Sequence, residues 1–229
     1  MLKIVQSRYL LVLAACALAV SACGKSDEEQ EPASPLTDTA GLLRYVPADT
    51  PYLFGTLAPL PDDFMDRVEP RLDRLLGAYS RMLGAAVSDG LAESEGDSKE
   101  AEKIVSVVQE LRSLMSLEGL REAGVTREST FIVYGNGLLP VARVALSDGT
   151  LFDDALARIE AKAGEQLPVA EIDGMPYRFV EEEGNRLIIA TAGDQLVLTV
   201  LPDNLDEDAL ASLLGLKLPE TNIAQTGEL

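Results

Sequence analysis

The chain has 229 residues, 47% of them hydrophobic, with 19 Lys and Arg against 38 Asp and Glu, no histidine, no tryptophan and two cysteines. Such a length suits one ordinary domain or two small ones. A formal charge of −19 excludes nucleic acid as a partner, because a phosphate backbone is held by clustered cations. The missing histidine excludes Ser-His-Asp and Cys-His catalysis, imidazole bases and the usual histidine zinc sites.

The first twenty residues have the parts of a bacterial export signal. Lys3 and Arg8 make a positive start, Tyr9 to Val20 an apolar run, and Ser21 and Ala22 a small-residue cut site. The run is too short to cross a hydrocarbon core of about 30 Å as a helix. Val20-Ser21-Ala22-Cys23 resembles a lipobox, the recognition sequence of bacterial lipoproteins. In that class the cysteine thiol receives a diacylglycerol, the signal is cut before it, and the new amine is acylated with a fatty acid such as palmitate. The resemblance implies cleavage between Ala22 and Cys23 and lipidation at Cys23. Leu13-Ala14-Ala15-Cys16 fits more loosely and would leave apolar Ala17 to Val20 in the mature tail. An ordinary signal peptide with an incidental cysteine is the other reading. Two or more acyl chains give stable attachment where one is marginal. In the lipobox class, Asp after the cysteine retains a protein at the inner membrane. Gly24 and Lys25 stand there instead, which implies the outer membrane, facing the periplasm, with the inner membrane as the alternative.

Loss of residues 1–22 removes Lys3 and Arg8 and no acid, taking the charge from −19 to −21. This acidity implies solubility and repulsion from anionic headgroups. Only Cys23 would remain, so the mature chain has neither a disulfide framework nor a thiol catalyst. Residues 24–40, "GKSDEEQEPASPLTDTA", are too polar to offset chain entropy and are expected to form a disordered tether. At about 3.3 Å per residue it reaches roughly 55 Å.

Residues 41–229 read as a single α+β domain, helix-rich over 58–124 and sheet-rich over 125–216. Pro47 and Pro51 bound a turn in which Asp49 suits an Asx-type bond, followed by a strand at 52–57. Phe64, Val68, Leu72, Leu75, Leu76, Tyr79, Met82 and Leu83 recur at helical spacing over 62–86. Pro70 predicts a kink or break there. Residues 88–98, "SDGLAESEGDS", read as a loop, and a second helix carries Ile104, Val107, Val108, Leu111, Leu114 and Met115 on one face. The two helices are expected to form an antiparallel hairpin with these faces in the core, a partner groove being the other reading of the Met-bearing stripe.

After Gly124 the pattern changes to strands. "FIVYGNGLLPVARVAL" predicts a hairpin turning at Asn136-Gly137. A short helix follows, with Thr150 and Asp153 at its start and Gly164 at its end. Four antiparallel strands come next, with turns at Asp173-Gly174 and Gly193-Asp194 and a solvated tip at Glu181-Glu182-Glu183. Residues 187–190 and 196–201 are apolar on both faces and are therefore expected at the sheet centre. A last helix spans about 206–214 and stops at Gly215. The order β-β-α-β-β-β-β-α predicts an antiparallel sheet, with a helical hairpin and short helices on one face.

"YVPADTPYLFGTLAPLPDD", with the later "FIVYGNGLLPVARVALSDGTLFDDALARIEAKAG" and "GMPYRFVEE", resembles a group of proteobacterial-type lipoproteins, uncharacterised in activity, whose mature domain opens with Pro-Ala-Asp-Thr-Pro. These motifs are turns and core strands, so the resemblance implies no catalytic residue. Its members are longer, which implies that this chain is an N-terminal portion or a shortened relative.

Neither a Gly-x-Ser-x-Gly elbow, a Ser-x-x-Lys pair nor a phosphate loop occurs, and Gly135-Asn136-Gly137 lacks the third glycine of a dinucleotide fingerprint. Carboxylates are the abundant reactive groups, among them Asp62, Asp63, Asp153, Asp154 and Glu181 to Glu183. Glycosidase chemistry needs two of them at a set separation, and the spacing singles out no pair. Asp203, Asn204, Asp206 and Asp208 supply calcium-type oxygens. Acids at a helix start also serve the helix itself, so capping is the expected role. The sequence thus leads to a non-catalytic, lipid-anchored binding or envelope-assembly module with no cofactor or metal and an unidentified envelope protein as its partner. A histidine-free enzyme using paired carboxylates and a purely structural lipoprotein are the alternatives.

Overall fold

The computed structural model describes residues 41–92 and 98–226. The signal, the Ala22–Cys23 cut site and the tether all lie outside the described residues. The chain is α+β and divides into two compact units. Of the described residues, a sheet unit holds those up to Ala58, Thr130–Ala145 and those from Pro168 onward; a helical unit holds those within Pro59–Ser129 and Leu146–Leu167.

The sheet unit has seven antiparallel strands: β1 (Leu53–Thr56), β2 (Phe131–Asn136), β3 (Leu139–Ala145), β4 (Val169–Ile172), β5 (Met175–Glu182), β6 (Asn185–Thr191) and β7 (Gln195–Pro202). Their order is β1-β2-β3-β7-β6-β5-β4. Turn chemistry sets the registers. Asp173-Gly174 and Glu183-Gly184 have positive φ at both residues, as a type I′ turn requires. The first hairpin is shifted by one residue from the expected turn. Asn136 pairs with Leu139, so Gly137 and Leu138 form the turn, with positive φ at Gly137 alone. Glycine at the first central position is the type II′ requirement, and it outweighs the Asn-Gly signal.

As expected, β6 and β7 are central. Leu187, Ile188, Ile189, Ala190, Leu196, Val197 and Leu201 are all buried. Ile132, Arg143, Val197 and Ala190 form one row across β2, β3, β7 and β6. On that face the core gathers Leu42, Leu43 and Val46, the sheet residues Ile132, Tyr134, Val141, Ile188 and Val197, and Leu210, Ala211, Leu213 and Leu214. The last four belong to a helix at Glu207–Leu214. The N-terminal turn is closed by the Thr50 N–H to Pro47 O. The Thr50 hydroxyl, where Asp49 was expected to act, bonds Tyr52 O and Gly135 O at 2.9 and 2.8 Å. Residues 221–223 return to this turn: Ala48 N–H reaches Thr221 O and Ile223 N–H reaches Val46 O, both at 3.0 Å.

The helical unit comprises α1 (Asp62–Ala92), α2 (Ser98–Leu114), α3 (Leu117–Glu122) and α4 (Gly149–Ala163); in the sheet unit, Glu207–Leu214 is α5 and Ile223–Thr226 is α6. Several expectations are corrected. First, of the kink or break expected at Pro70 the break does not occur: α1 is one helix through that residue. Pro70 is solvent-exposed, as is Asp66, whose carbonyl loses its amide partner to the proline; water can satisfy it there. Second, the expected 88–98 loop is helical through Ala92 and again from Ser98. The hairpin is antiparallel, because Arg112 Nε meets Ser80 Oγ at 3.0 Å while the later Arg121 and Arg127 meet the earlier Glu69. Leu83, Val107 and Val108 are buried. Phe64, Leu75 and Met82, expected in the core, are instead 42%, 40% and 66% exposed. An apolar face this wide exceeds what one packed neighbour covers.

Asp148 caps α4, accepting the Thr150 N–H at 2.9 Å and its hydroxyl at 2.7 Å. The cap thus lies two residues before the expected Thr150, and Gly164 ends the helix at φ +67. Truncation of the sheet-unit core, Leu213→Ala, should cost about 2–5 kcal/mol, the range for a buried leucine. Urea unfolding followed by circular dichroism checks this as a lower midpoint.

Candidate functional site

The most unusual constellation in the sheet unit is built on Arg143. Strand alternation points this residue to the apolar face of β3, where it is 0% exposed. Three elements supply its surroundings. From β2, the Tyr134 hydroxyl accepts from Nε at 3.2 Å. The Leu213 carbonyl in the last turn of α5 accepts from one terminal nitrogen at 3.0 Å. Gln195 Oε1 at the start of β7 lies 3.4 Å from the other. The guanidinium also stacks over the Tyr45 ring, 3.9 Å from its centroid. Among the described residues every one of these partners is neutral.

Helix physics explains how a cation is held there. The last four carbonyls of a helix have no intrahelical amide and carry the negative end of its dipole. Gly215 takes the left-handed cap, and its N–H returns to Ala211 and Ser212. That leaves the Leu213 carbonyl for Arg143. A Cβ at Gly215 would stand 2.5 Å from the guanidinium and 2.7 Å from the Tyr45 ring, so glycine is required for close approach as well as for its φ of +82. Burial pushes the Tyr134 hydroxyl pKa up, and the Arg143 charge partly opposes this. The group is fully enclosed, so it fastens α5 and the Tyr45 turn to the sheet and does not meet a solute.

A second polar cluster ties the helical unit. Glu69 of α1 accepts from Arg127 Nε at 2.7 Å and from Arg121 at 2.8 Å. Arg127 also reaches Asp66 at 2.9 Å and Asp62 at 3.7 Å. The Arg127 hydrogen bond, followed by that from Arg121, holds the Glu69 carboxyl below its ordinary range, and the hydrogen bonds to Glu69 and then Asp66 raise Arg127.

The carboxylates singled out by sequence are dispersed. Asp62 and Asp63 open α1, and Asp63 pairs with Arg67 at 3.0 Å. Asp153 and Asp154 lie in α4. Glu181 accepts from Arg186 at 2.7 Å, and Glu183 sits in the adjoining turn after Glu182 of β5. Asp206 caps α5 by accepting the Ala209 N–H at 2.7 Å, and Asp208 pairs with Lys217, which lowers its pKa. Of the acidic run at 203–209, Asp206 thus caps the helix and Asp208 joins an ion pair. Among the described residues no three His, Cys, Asp or Glu side chains gather as a metal site would require. Sequence reasoning passed over Arg143, although a lone cation in an alternating strand was the available signal.

Open depressions also occur among the described residues. One, about 280 Å³, lies between the Gly137 turn and α5, lined by Asn136, Gly137, Leu139, Ala209, Ser212 and Leu213. Another, about 250 Å³, lies at the end of α4 beside Glu160, whose Oε1 accepts the Leu167 N–H at 3.2 Å. Compared with known protein families, curated proteins and solved structures, the chain matches none of them.

Arg143→Met keeps most of the stem's packing and leaves the Tyr134 hydroxyl and Leu213 carbonyl without their donor. A buried polar group left unpaired costs about 1–3 kcal/mol, so the variant should unfold at lower urea. Glu69 predicts a pH dependence. Its pKa is lowered in the folded chain, so its contribution is complete above the ordinary 4.5 and drains as pH falls through the folded value. Thermal unfolding from neutral into acid pH should therefore show a shallower loss of stability for Glu69→Gln than for the parent chain.

Proposed function

We propose that this protein is a bacterial lipoprotein, anchored through acylated Cys23 in the outer membrane and facing the periplasm, whose folded part acts by binding as an envelope-assembly accessory. The observation that carries the reading is the junction at residues 19–31, where an apolar run ends at Val20-Ser21-Ala22-Cys23 and an acidic tail begins. Leu42 and Leu43, which follow the proposed tether in sequence, are completely buried. The first covalently attached element is then a firm part of the sheet-unit core, suited to hold against a membrane anchor.

Binding is favoured over carboxylate catalysis by the direction of the ionisation shifts. An acid catalyst working near neutral pH needs a raised carboxyl pKa. Among the described residues the carboxyls displaced from their ordinary range, Glu69, Asp148 and Asp208, are lowered by hydrogen bonds or nearby cations.

Expression of the full chain in a two-membrane bacterium with radiolabelled palmitate tests the anchor. The protein should carry label and fractionate with the outer membrane, and Cys23→Ser should lose both label and membrane association. An unlabelled parent chain, or label that persists in Cys23→Ser and disappears in Cys16→Ser, would overturn the assignment.

A further inference from the structure

The helical unit carries one surface that runs against the charge of the whole molecule. At 3.6 residues per turn, Phe64, Leu75 and Met82 of α1 align within about 20° of one another. All three are exposed. Beside them on the same side lie Arg67, Arg71, Arg74 and Arg81, also exposed. The opposite side of α1 makes the contacts within the unit, through Glu69, Ser80 and Leu83. Among the described residues the outward side carries four arginines against Asp63 and Asp89, and Asp63 is already paired with Arg67. In a chain of charge −19, this is a local reversal of sign next to an apolar stripe.

We propose that this outward side of α1 docks on an anionic lipid surface, with the arginines on headgroup phosphates and Phe64, Leu75 and Met82 at the boundary with the acyl chains. A helix with large apolar residues on one side and arginines flanking them is the composition that lies in a membrane interface. Arginine suits phosphate because its planar fork donates two bonds at once. The acidic remainder does not cancel the attraction, because charges more than a Debye length of about 10 Å away are screened at moderate salt. A convex, continuous helix side also fits a flat, deformable headgroup layer. Membrane proximity comes from the lipid anchor proposed above, and in that respect the inference rests on that reading. Tethering converts a weak surface contact into an intramolecular one.

The test uses the mature chain, residues 23–229, carrying Cys23→Ser and made without its signal, so that it does not depend on lipidation. Its cosedimentation is measured with vesicles of phosphatidylglycerol mixed into phosphatidylcholine, and with phosphatidylcholine alone. Binding is expected with the anionic vesicles, reduced by high salt. Each Arg→Gln change among positions 67, 71, 74 and 81 should lower partitioning about five-fold, from roughly 1 kcal/mol per cation near an anionic surface. Met82→Asp should also lower it, with the circular dichroism spectrum retained. Absence of anionic-vesicle binding overturns the proposal, as does binding that survives the combined arginine changes. A dimer in sedimentation velocity that Met82→Asp dissolves, without vesicle binding, would assign the stripe to a second copy of this chain instead. Failure here with successful palmitate labelling would remove this contact and leave the anchor standing.

Discussion

A guanidinium without a carboxylate, enclosed in an apolar core, is the constraint on which the sheet unit depends. Arg143 is held by a tyrosine hydroxyl, an aromatic ring and the carbonyl end of α5. A buried charge is tolerated only where hydrogen bonds and dipoles replace water. Each supporting group therefore has to arrive in its place: the Tyr45 turn from the N-terminal segment, Tyr134 from the neighbouring strand, and α5 from the far end of the chain. Gly215 is part of the same requirement, since any side chain there would collide with the guanidinium and the ring. One residue thus couples segments that are distant in sequence, while the surrounding Leu42, Leu43, Leu213 and Leu214 supply the apolar burial.

The helical unit solves a similar problem with ion pairs at its periphery. Glu69 receives two arginines from beyond the hairpin, and Arg127 is shared with Asp66 and Asp62. These contacts orient α1 so that one flank packs and the other stays in solvent. The split separates residues that look equivalent in the sequence. Leu83 is buried whereas Met82 is two-thirds exposed, because adjacent helical positions differ by about 100° in direction. The exposed flank is the one that carries the arginines.

Both units therefore use their polar chemistry to hold structure. Arg143 is sealed, Glu69 and Asp208 are paired, and Asp148 and Asp206 cap helices. With the lipid anchor proposed above, the chain would meet its partners at the membrane face rather than in free solution.

Much of this architecture was legible in the amino-acid order. Gly164 and Gly215 marked helix ends, Asp173-Gly174 marked a turn, and the apolar runs at 187–190 and 196–201 marked the sheet centre. These signals are local: positive φ, capping and side-chain period are properties of a few neighbouring residues. What the tertiary structure alone decided is which of two possible partners each group met. Gly137-Leu138 stands as the turn in place of Asn136-Gly137, in the register that pairs Asn136 with Leu139. Pro70 stayed within one helix because its side of α1 faces water. Arg143 became a core residue because Leu213 and Tyr45, from opposite ends of the fold, closed over it. Burial depends on what packs against a residue from far along the chain, and no local pattern encodes that neighbour.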